Sequence, residues 1–232
     1  MAQKSAADRY FKFLRTPYKD ENGDTRQPTS SRFVDQLEVI HASYKPRYDL
    51  TACLSRAQPK FSGQVWFWSD LHLFHTNIIK YCDRPFSDVG EMNKALLTNC
   101  LKRVSANDIL VFGGDIMMSN LPGANQILRA MPGFKINVLG NHDVQNKTNE
   151  LLRLAVDEVA PCIEFEFNGT SFLLTHYPVP ESLLASGQVN IHGHTHRNPV
   201  PSALGSGERH INLCVEHTEY SPVRQDWLLA KV

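Results

Sequence analysis

Between Val65 and His196, short apolar or β-branched runs of strand length recur, and each ends abruptly in Gly, Asp, Asn or His. Val65–Trp68 runs into Ser69-Asp70-Leu71-His72, and Ile109–Phe112 into Gly113-Gly114-Asp115. Residues 136–139 run into Gly140-Asn141-His142-Asp143, residues 172–174 into Thr175-His176, and residues 189–191 lead to Gly193-His194-Thr195-His196. Apolar runs of this length bounded by turn formers are predicted to be buried strands. A helix is predicted between the first two: Asp88 caps it with Glu91 three residues on, and Met92, Leu96, Cys100 and Val104 form its buried face. Residues 124–130, between Pro122 and Pro132, read as a shorter helix. The β-α-β-α-β order implies an α/β domain whose strands are parallel at its start.

In α/β sheets the functional crevice forms outside the carboxyl ends of the strands, so side chains scattered along the sequence converge there. The strand ends deliver Asp, His and one Asn amide but no thiolate, a set suited to borderline divalent metals such as Mn, Fe, Zn or Ni. Glycines at 113, 114, 140 and 193 allow close backbone approach at the same points. One Asp-x-His or His-x-His is weak evidence, because exposed or core histidines are commoner than ligands. Here seven of the ten histidines lie in or beside the strand-end motifs, which makes coincidence a poor account of them.

From about Val65 to Val223 the chain closely resembles the calcineurin-like metallophosphoesterase family, whose five successive motifs stand here as SDLH, GGD, GNHD, THYP and GHTH. It looks especially like small bacterial and phage members, through SDLHLFHTNI and Asp83-Arg84-Pro85-Phe86. Phe74 departs from that pattern, since those members often carry Gly there, and is expected to reshape the loop over the site. The resemblance implies an α/β four-layer sandwich of two mixed β-sheets flanked by helices. It also implies a phosphoesterase with two divalent cations (Mn, Fe, Zn, Ni or Mg, with Mn the expected activator in vitro). Asp70, His72 and His196 would hold one cation, Asn141, His176 and His194 the other, and Asp115 would bridge them. A metal-bridging hydroxide would attack phosphorus, and His142 would give a proton to the leaving group, with Asp143 placed to orient its ring or raise its basicity.

Two further candidates lie just beyond the first ligand loop. His75, three residues after His72, is expected to donate to a phosphate oxygen, and Arg84 to contact one bidentately. The alternative for Arg84 is that it satisfies loop carbonyls. Asn77 reads as a helix cap, Asn212 as a support for the ligand loops, and His192, His210 and His217 as structural.

Residues 1–60 read as a partly helical extension docked on a catalytic domain spanning 61–232. Tyr10, Phe13 and Leu14 share one helical face, and Phe33, Val34, Leu37 and Ile40 mark a second helix, with a loop-like stretch over 18–30. This segment holds 11 Lys+Arg against 7 Asp+Glu in a chain of zero net charge, so it is expected to be drawn to the remainder and to complete the substrate pocket from outside. The basic residues interleaved with aromatics also suit nucleic acid, but helix docking is the commoner use of such a pattern.

With 42% hydrophobic and 21% charged residues the composition is that of a globular domain, and no stretch is apolar enough for a leader or a membrane span. A cytoplasmic protein with no membrane partner is expected, its five scattered cysteines reduced. The expected substrate is a small, nucleotide-like phosphomonoester or phosphodiester. A nuclease of the same family is the first alternative, disfavoured by the neutral net charge. A non-catalytic binding scaffold is the second, disfavoured because every ligand position is filled. Substrate, native metal and oligomeric state depend on loops and surfaces that the motifs do not specify.

Overall fold

The computed structural model describes residues 5–44, 49–54, 63–119 and 123–232. In chain order these form α1 (Ala6–Arg15), β1 (Tyr18–Lys19), β2 (Thr25–Arg26), α2 (Ser31–Ser43), α3 (Leu50–Leu54), β3 (Val65–Trp68), α4 (Ile78–Tyr81), α5 (Val89–Arg103) and β4 (Ile109–Phe112). They continue with α6 (Gln126–Ala130), β5 (Phe134–Val138), α7 (Asn146–Arg153), β6 (Glu158–Ala160), β7 (Cys162–Phe167), β8 (Thr170–Thr175), β9 (Val189–His192), β10 (His210–Asn212), β11 (Val223–Arg224) and α8 (Gln225–Leu229). One sheet runs β11-β3-β4-β5-β6 and another β10-β9-β8-β7, beside the small β1-β2 hairpin. Strands β3 to β6 are parallel, as the β-α-β order predicts, with β11 antiparallel at the edge. In the second sheet β8, β9 and β10 are parallel and β7 is antiparallel, so both sheets are mixed.

Period-two alternation divides each strand between two cores. Val65 and Phe67 of β3 and Ile109 and Val111 of β4 face the second sheet, where they meet Phe165, Phe172, Leu174 and Ile191. Trp66, Trp68, Leu110 and Phe112 point the other way, onto Met92, Leu96 and Cys100 of α5 and Leu128 of α6. Asp88 caps α5 as expected, its side chain accepting from Glu91 N at 2.8 Å. On the far side of the second sheet, Tyr10, Phe13 and Leu14 of α1 and Phe33, Val34 and Leu37 of α2 pack with Leu173, Tyr177 and Val179. The expected sandwich of two mixed sheets flanked by helices is therefore present, and α1 and α2 form its outer helical layer. Arg15 ties them together through Asp35 and Glu38.

The register brings the strand ends to one edge. Trp68 pairs with Phe112 and Phe112 with Asn137, while Thr175 and Asn212 both pair with His192. A parallel bridge between Ser69 and Cys214 joins the two sheets there.

Several elements differ from the sequence expectations. The loop-like residues 18–30 contain β1 and β2, closed by a turn in which Gly23 has φ 81° and Asp20 accepts from the amides of Asn22 and Asp24. Asn77 stands at the N-cap of α4 without a side-chain capping bond. Cys82, Cys100, Cys162 and Cys214 are free thiols, and the Cys53 side chain lies outside the described residues. No described helix is long and apolar enough to cross a membrane.

Leu37 is fully buried in the outer layer. Leu37→Ala is expected to cost about 2–5 kcal/mol in denaturant unfolding, whereas a loosely appended helix would lose under about 0.5 kcal/mol.

Candidate metal centre

The loops after β3 and β4 run side by side, with Asp70 N donating to Gly114 O and His72 N to Asp115 O, each at 3.0 Å. They carry two buried carboxylates whose oxygens are used unequally. Asp70 Oδ2 accepts from Ser69 Oγ at 2.5 Å, His194 N at 3.0 Å and Cys214 Sγ at 3.3 Å. Asp70 Oδ1 is buried without a hydrogen-bond partner and lies 3.8 Å from both His72 Nε2 and His196 Nε2. Asp115 repeats the division: Oδ1 accepts from His142 N at 2.9 Å. Its Oδ2 stands 3.5 Å from His176 Nε2, 3.8 Å from His72 Nε2 and 3.9 Å from His142 Nε2. One oxygen of each carboxylate is anchored by donors, and the other faces imidazole nitrogens.

The glycines following β5 and β9 make this approach possible. A Cβ on Gly193 would sit 2.1 Å from Asp70 Oδ2, and one on Gly140 2.2 Å from Asp115 Oδ1, both impossible contacts. The remaining strand ends add Asn141, whose Oδ1 lies 3.1 Å from His176 Nε2, and His194, whose ring centroid is 5.1 Å from that of His176. All seven ligand candidates thus come to one place. Groups within metal-ligand reach of one another include Asp70, Asp115 and His176, all ligand candidates, and also His72 and Asp115 together with His142, which is outside the ligand set.

The backbone is strained where it presents these groups. Asp70, His72, Asp115, His194 and His196 have φ between 50° and 67°, a left-handed conformation that costs non-glycine residues about 1 kcal/mol or more each. Phe74 has φ 66°, so this bulky residue is accommodated in a glycine-type backbone, its amide donating to Asn93 Oδ1.

Electrostatics show a pocket that calls for positive charge. Burial opposes the charged form of His176, yet the carboxylates of Asp115 and Asp70 raise it to about 9. Burial likewise opposes a charged His196, but Cys82, Glu216 and Asp70 raise it to about 10. Burial would raise Asp70 and Asp115, but the facing imidazoles hold both below the usual carboxylate range. His72 Nε2, buried like Asp70 Oδ1, also lacks a hydrogen-bond partner. A divalent cation between these groups would satisfy both orphaned atoms, so the residues present fit a metal.

His142 and His75 stand at the rim. The His142 side chain is 24% exposed, and its Nδ1 lies 3.4 Å from Gln145 Nε2. His75 Nδ1 lies 3.3 Å from His72 Nδ1, and burial, with the nearby His72 and His142 rings, lowers its pKa to about 4. Asp143 is placed differently from expectation. Its carboxylate accepts from the amides of Asp115, Ile116 and Gly140 and from Asn137 Nδ2, at 2.8–3.1 Å. It clamps the β4 and β5 loops together, while the ring of His142 lies near Gln145, Asp115 and the rings of His72 and His75.

Arg84 needs a larger correction. Its guanidinium is buried and donates to Asp70 O, Leu71 O, the Met92 sulfur and Glu216 Oε1, which leaves it inside the first ligand loop instead of facing the cleft. Of the two readings that the sequence allowed, satisfaction of loop carbonyls is the one the contacts match.

Sequence reasoning missed Glu216, which follows no strand-end motif. Its carboxylate, 1% exposed, accepts from Arg84 and lies 3.2 Å from His196 Nδ1. Tyr177, within the THYP motif, was passed over too. Its hydroxyl donates to Asn141 Oδ1 at 3.1 Å, and its ring centroid lies 4.0 Å from that of His194. Asn212 supports the last ligand loop as expected, donating to Thr195 Oγ1 and His196 O. His192, His210 and His217 bind backbone carbonyls.

Arg84→Ala would strand the buried Glu216 charge and is expected to lower unfolding free energy by about 3–5 kcal/mol. A surface phosphate-binding arginine would change it by under about 0.5 kcal/mol, so the same denaturation measurement separates the two roles.

No family model matches the chain. The uncharacterized protein MJ1445 of Methanocaldococcus jannaschii is 35% identical over 170 residues, spanning 72% of this chain and 89% of that protein. Among solved structures, the protein of unknown function AQ665 from Aquifex aeolicus is 29% identical, with a TM-score of 0.60 over 73% of this chain and 99% of its own. The Pseudomonas putida nuclease MPE, 17% identical, has a TM-score of 0.36 over 57% of this chain and 61% of its own. A novel archaeal phosphodiesterase, 20% identical, has a TM-score of 0.37 over 65% and 82%.

Proposed function

We propose that this chain, which belongs to the same family as the uncharacterized Methanocaldococcus jannaschii protein MJ1445, is a metal-dependent phosphoric ester hydrolase with a binuclear centre. The observation that carries this reading is the pair of buried carboxylates, each anchored through one oxygen while the other faces histidines from separate strand ends. Asp70, His72 and His196 form one half of the centre and Asn141, His176 and His194 the other. Asp115, whose Oδ2 lies 3.5 Å from His176 Nε2 and 3.8 Å from His72 Nε2, faces both. The resemblance of the five motifs to calcineurin-like metallophosphoesterases supports the same division.

When bound, a pair of divalent cations supplies Lewis-acid stabilisation of phosphoryl charge and lowers the pKa of water. The chain's own residues do the rest. His142, at the rim beside Asp115, is placed to give a proton to the departing alkoxide. His75, held neutral by its surroundings, donates a hydrogen bond to a phosphate oxygen. Glu216 accepts from His196 Nδ1, which fixes the ring orientation and leaves Nε2 for coordination. Asp143 and Arg84 position the loops that carry the ligands. The substrate is a small phosphomonoester or diester, and manganese is the expected activator in vitro.

Chelator-treated protein reloaded with manganese is expected to bind about two equivalents by elemental analysis and to hydrolyse bis-p-nitrophenyl phosphate only when loaded. Lack of metal binding, or lack of turnover by the loaded protein, would overturn the proposal. His142→Ala should keep its metal and lose about 10²–10⁴-fold in turnover, and near-normal turnover with full metal would remove His142 from its role.

A further inference from the structure

A cleft of about 470 Å³ opens beside Asn141, lined by Gln145 on the catalytic side and by Ser30, Arg32, Phe33 and Gln36 of α2 and its cap on the other. Its volume lies in the range, about 300–1,000 Å³, that holds small organic ligands. It is continuous with the chemistry already described, since Asn141 is a proposed metal ligand and Gln145 Nε2 lies 3.4 Å from His142 Nδ1. Its wall is braced from the amino-terminal segment: Thr29 Oγ1 donates to the Tyr177 hydroxyl at 2.7 Å, and that hydroxyl donates to Asn141 Oδ1. The Phe33 ring packs 5.5 Å from the Tyr177 ring.

Arg32 is distinctive among the described arginines of this segment. Arg9 pairs with Glu164, Arg15 with Asp35 and Glu38, and Arg26 with Asp20 and Asp24. The Arg32 guanidinium, exposed at the cleft, has no hydrogen bond or ion pair within the described chain. Among the described arginines of this segment, the one without an internal partner is thus the one that lines the cleft beside Asn141. Ser30, Gln36 and Gln145 place uncharged hydrogen-bonding groups around it, so the cleft suits an anion with more than two oxygens.

We propose that this cleft is a leaving-group subsite in which Arg32 binds a second phosphate, carried on the alcohol side of the scissile ester. The proposal deepens the hydrolase reading and rests on it in one respect: His142, the proposed donor to the leaving group, adjoins the cleft through Gln145. The preferred substrate class is then an ester with two phosphate groups, such as a nucleoside bisphosphate, ahead of a nucleoside monophosphate. The α2 layer, which covers the second sheet, would on this view also choose the substrate.

Calorimetric binding to the manganese-loaded full chain tests this with two probes, thymidine 3′,5′-bisphosphate and thymidine 5′-monophosphate. The bisphosphate is expected to bind about tenfold or more tighter, the scale of one charge-assisted bidentate pair. Arg32→Gln should reduce that preference to about twofold or less, and Arg32→Lys should keep part of it, because a point charge replaces the planar fork. Equal or absent binding of the two nucleotides, or a preference that survives in Arg32→Gln, overturns the subsite. Turnover of bis-p-nitrophenyl phosphate by the unmodified protein reports separately on the hydrolase reading. A bisphosphate preference lost in Arg32→Gln without any such turnover would support the anion subsite while overturning the hydrolase.

Discussion

Two carboxylates with almost no solvent contact, Asp70 and Asp115, share His72 as a facing partner at the edge where the two sheets meet. Burying anions without compensation is among the costliest things a fold can do. The surroundings of these two read as the compensation: backbone amides, Ser69 and Cys214 on the inner oxygens, and imidazoles on the outer ones. The glycines at 140 and 193, the left-handed ligand residues and the buried Arg84–Glu216 pair all follow from the need to hold those anions in register.

What holds the two halves of the centre is distributed unevenly. The first ligand loop is supported from beneath by Arg84, through the carbonyls of Asp70 and Leu71, and the same arginine holds Glu216 against His196. The second half depends on Asp143, which gathers the Asp115 and Gly140 amides, and on the Tyr177 hydroxyl at Asn141. The first brace therefore connects groups on opposite flanks of one half, while the second sets the spacing between two adjacent parallel strands, β4 and β5.

Much of this was legible locally. Strand ends, the α5 cap, and the faces of α1 and α2 depend on residues within a few positions of one another, and motif, period and cap agree there. The supporting residues were harder to assign because they act across long separations. Glu216 lies 132 residues from Arg84, and no local pattern marks it. Asp143 was misassigned to His142 because adjacency in sequence was taken for adjacency of side chains, although its oxygens reach amides 28 and 27 residues away. The hairpin over 18–30 was missed because its strands are two residues each, too short to show alternation, and its Asn22-Gly23 turn was the only local sign. The alternation in β7, Cys-Ile-Glu-Phe-Glu-Phe, was a readable strand signal left unused.

The outer helical layer has a consequence for how the chain is made. Tyr10 accepts a bond from the amide of Tyr177, 167 residues later, and the apolar faces of α1 and α2 share their cluster with Leu173 of β8, with Tyr177 and Val179 after it, and with Leu139, Val144 and Val159. During synthesis these two helices emerge well before the residues that cover them. At about 5–20 residues per second the delay is roughly ten to thirty seconds, during which Phe13, Leu14, Phe33 and Leu37 lack their final partners. Non-local closure of this kind slows folding and exposes apolar surface to neighbouring chains. The segment that completes the sandwich thus waits for its cover, and the Arg15 links to Asp35 and Glu38 give α1 and α2 a means of staying paired in the interval.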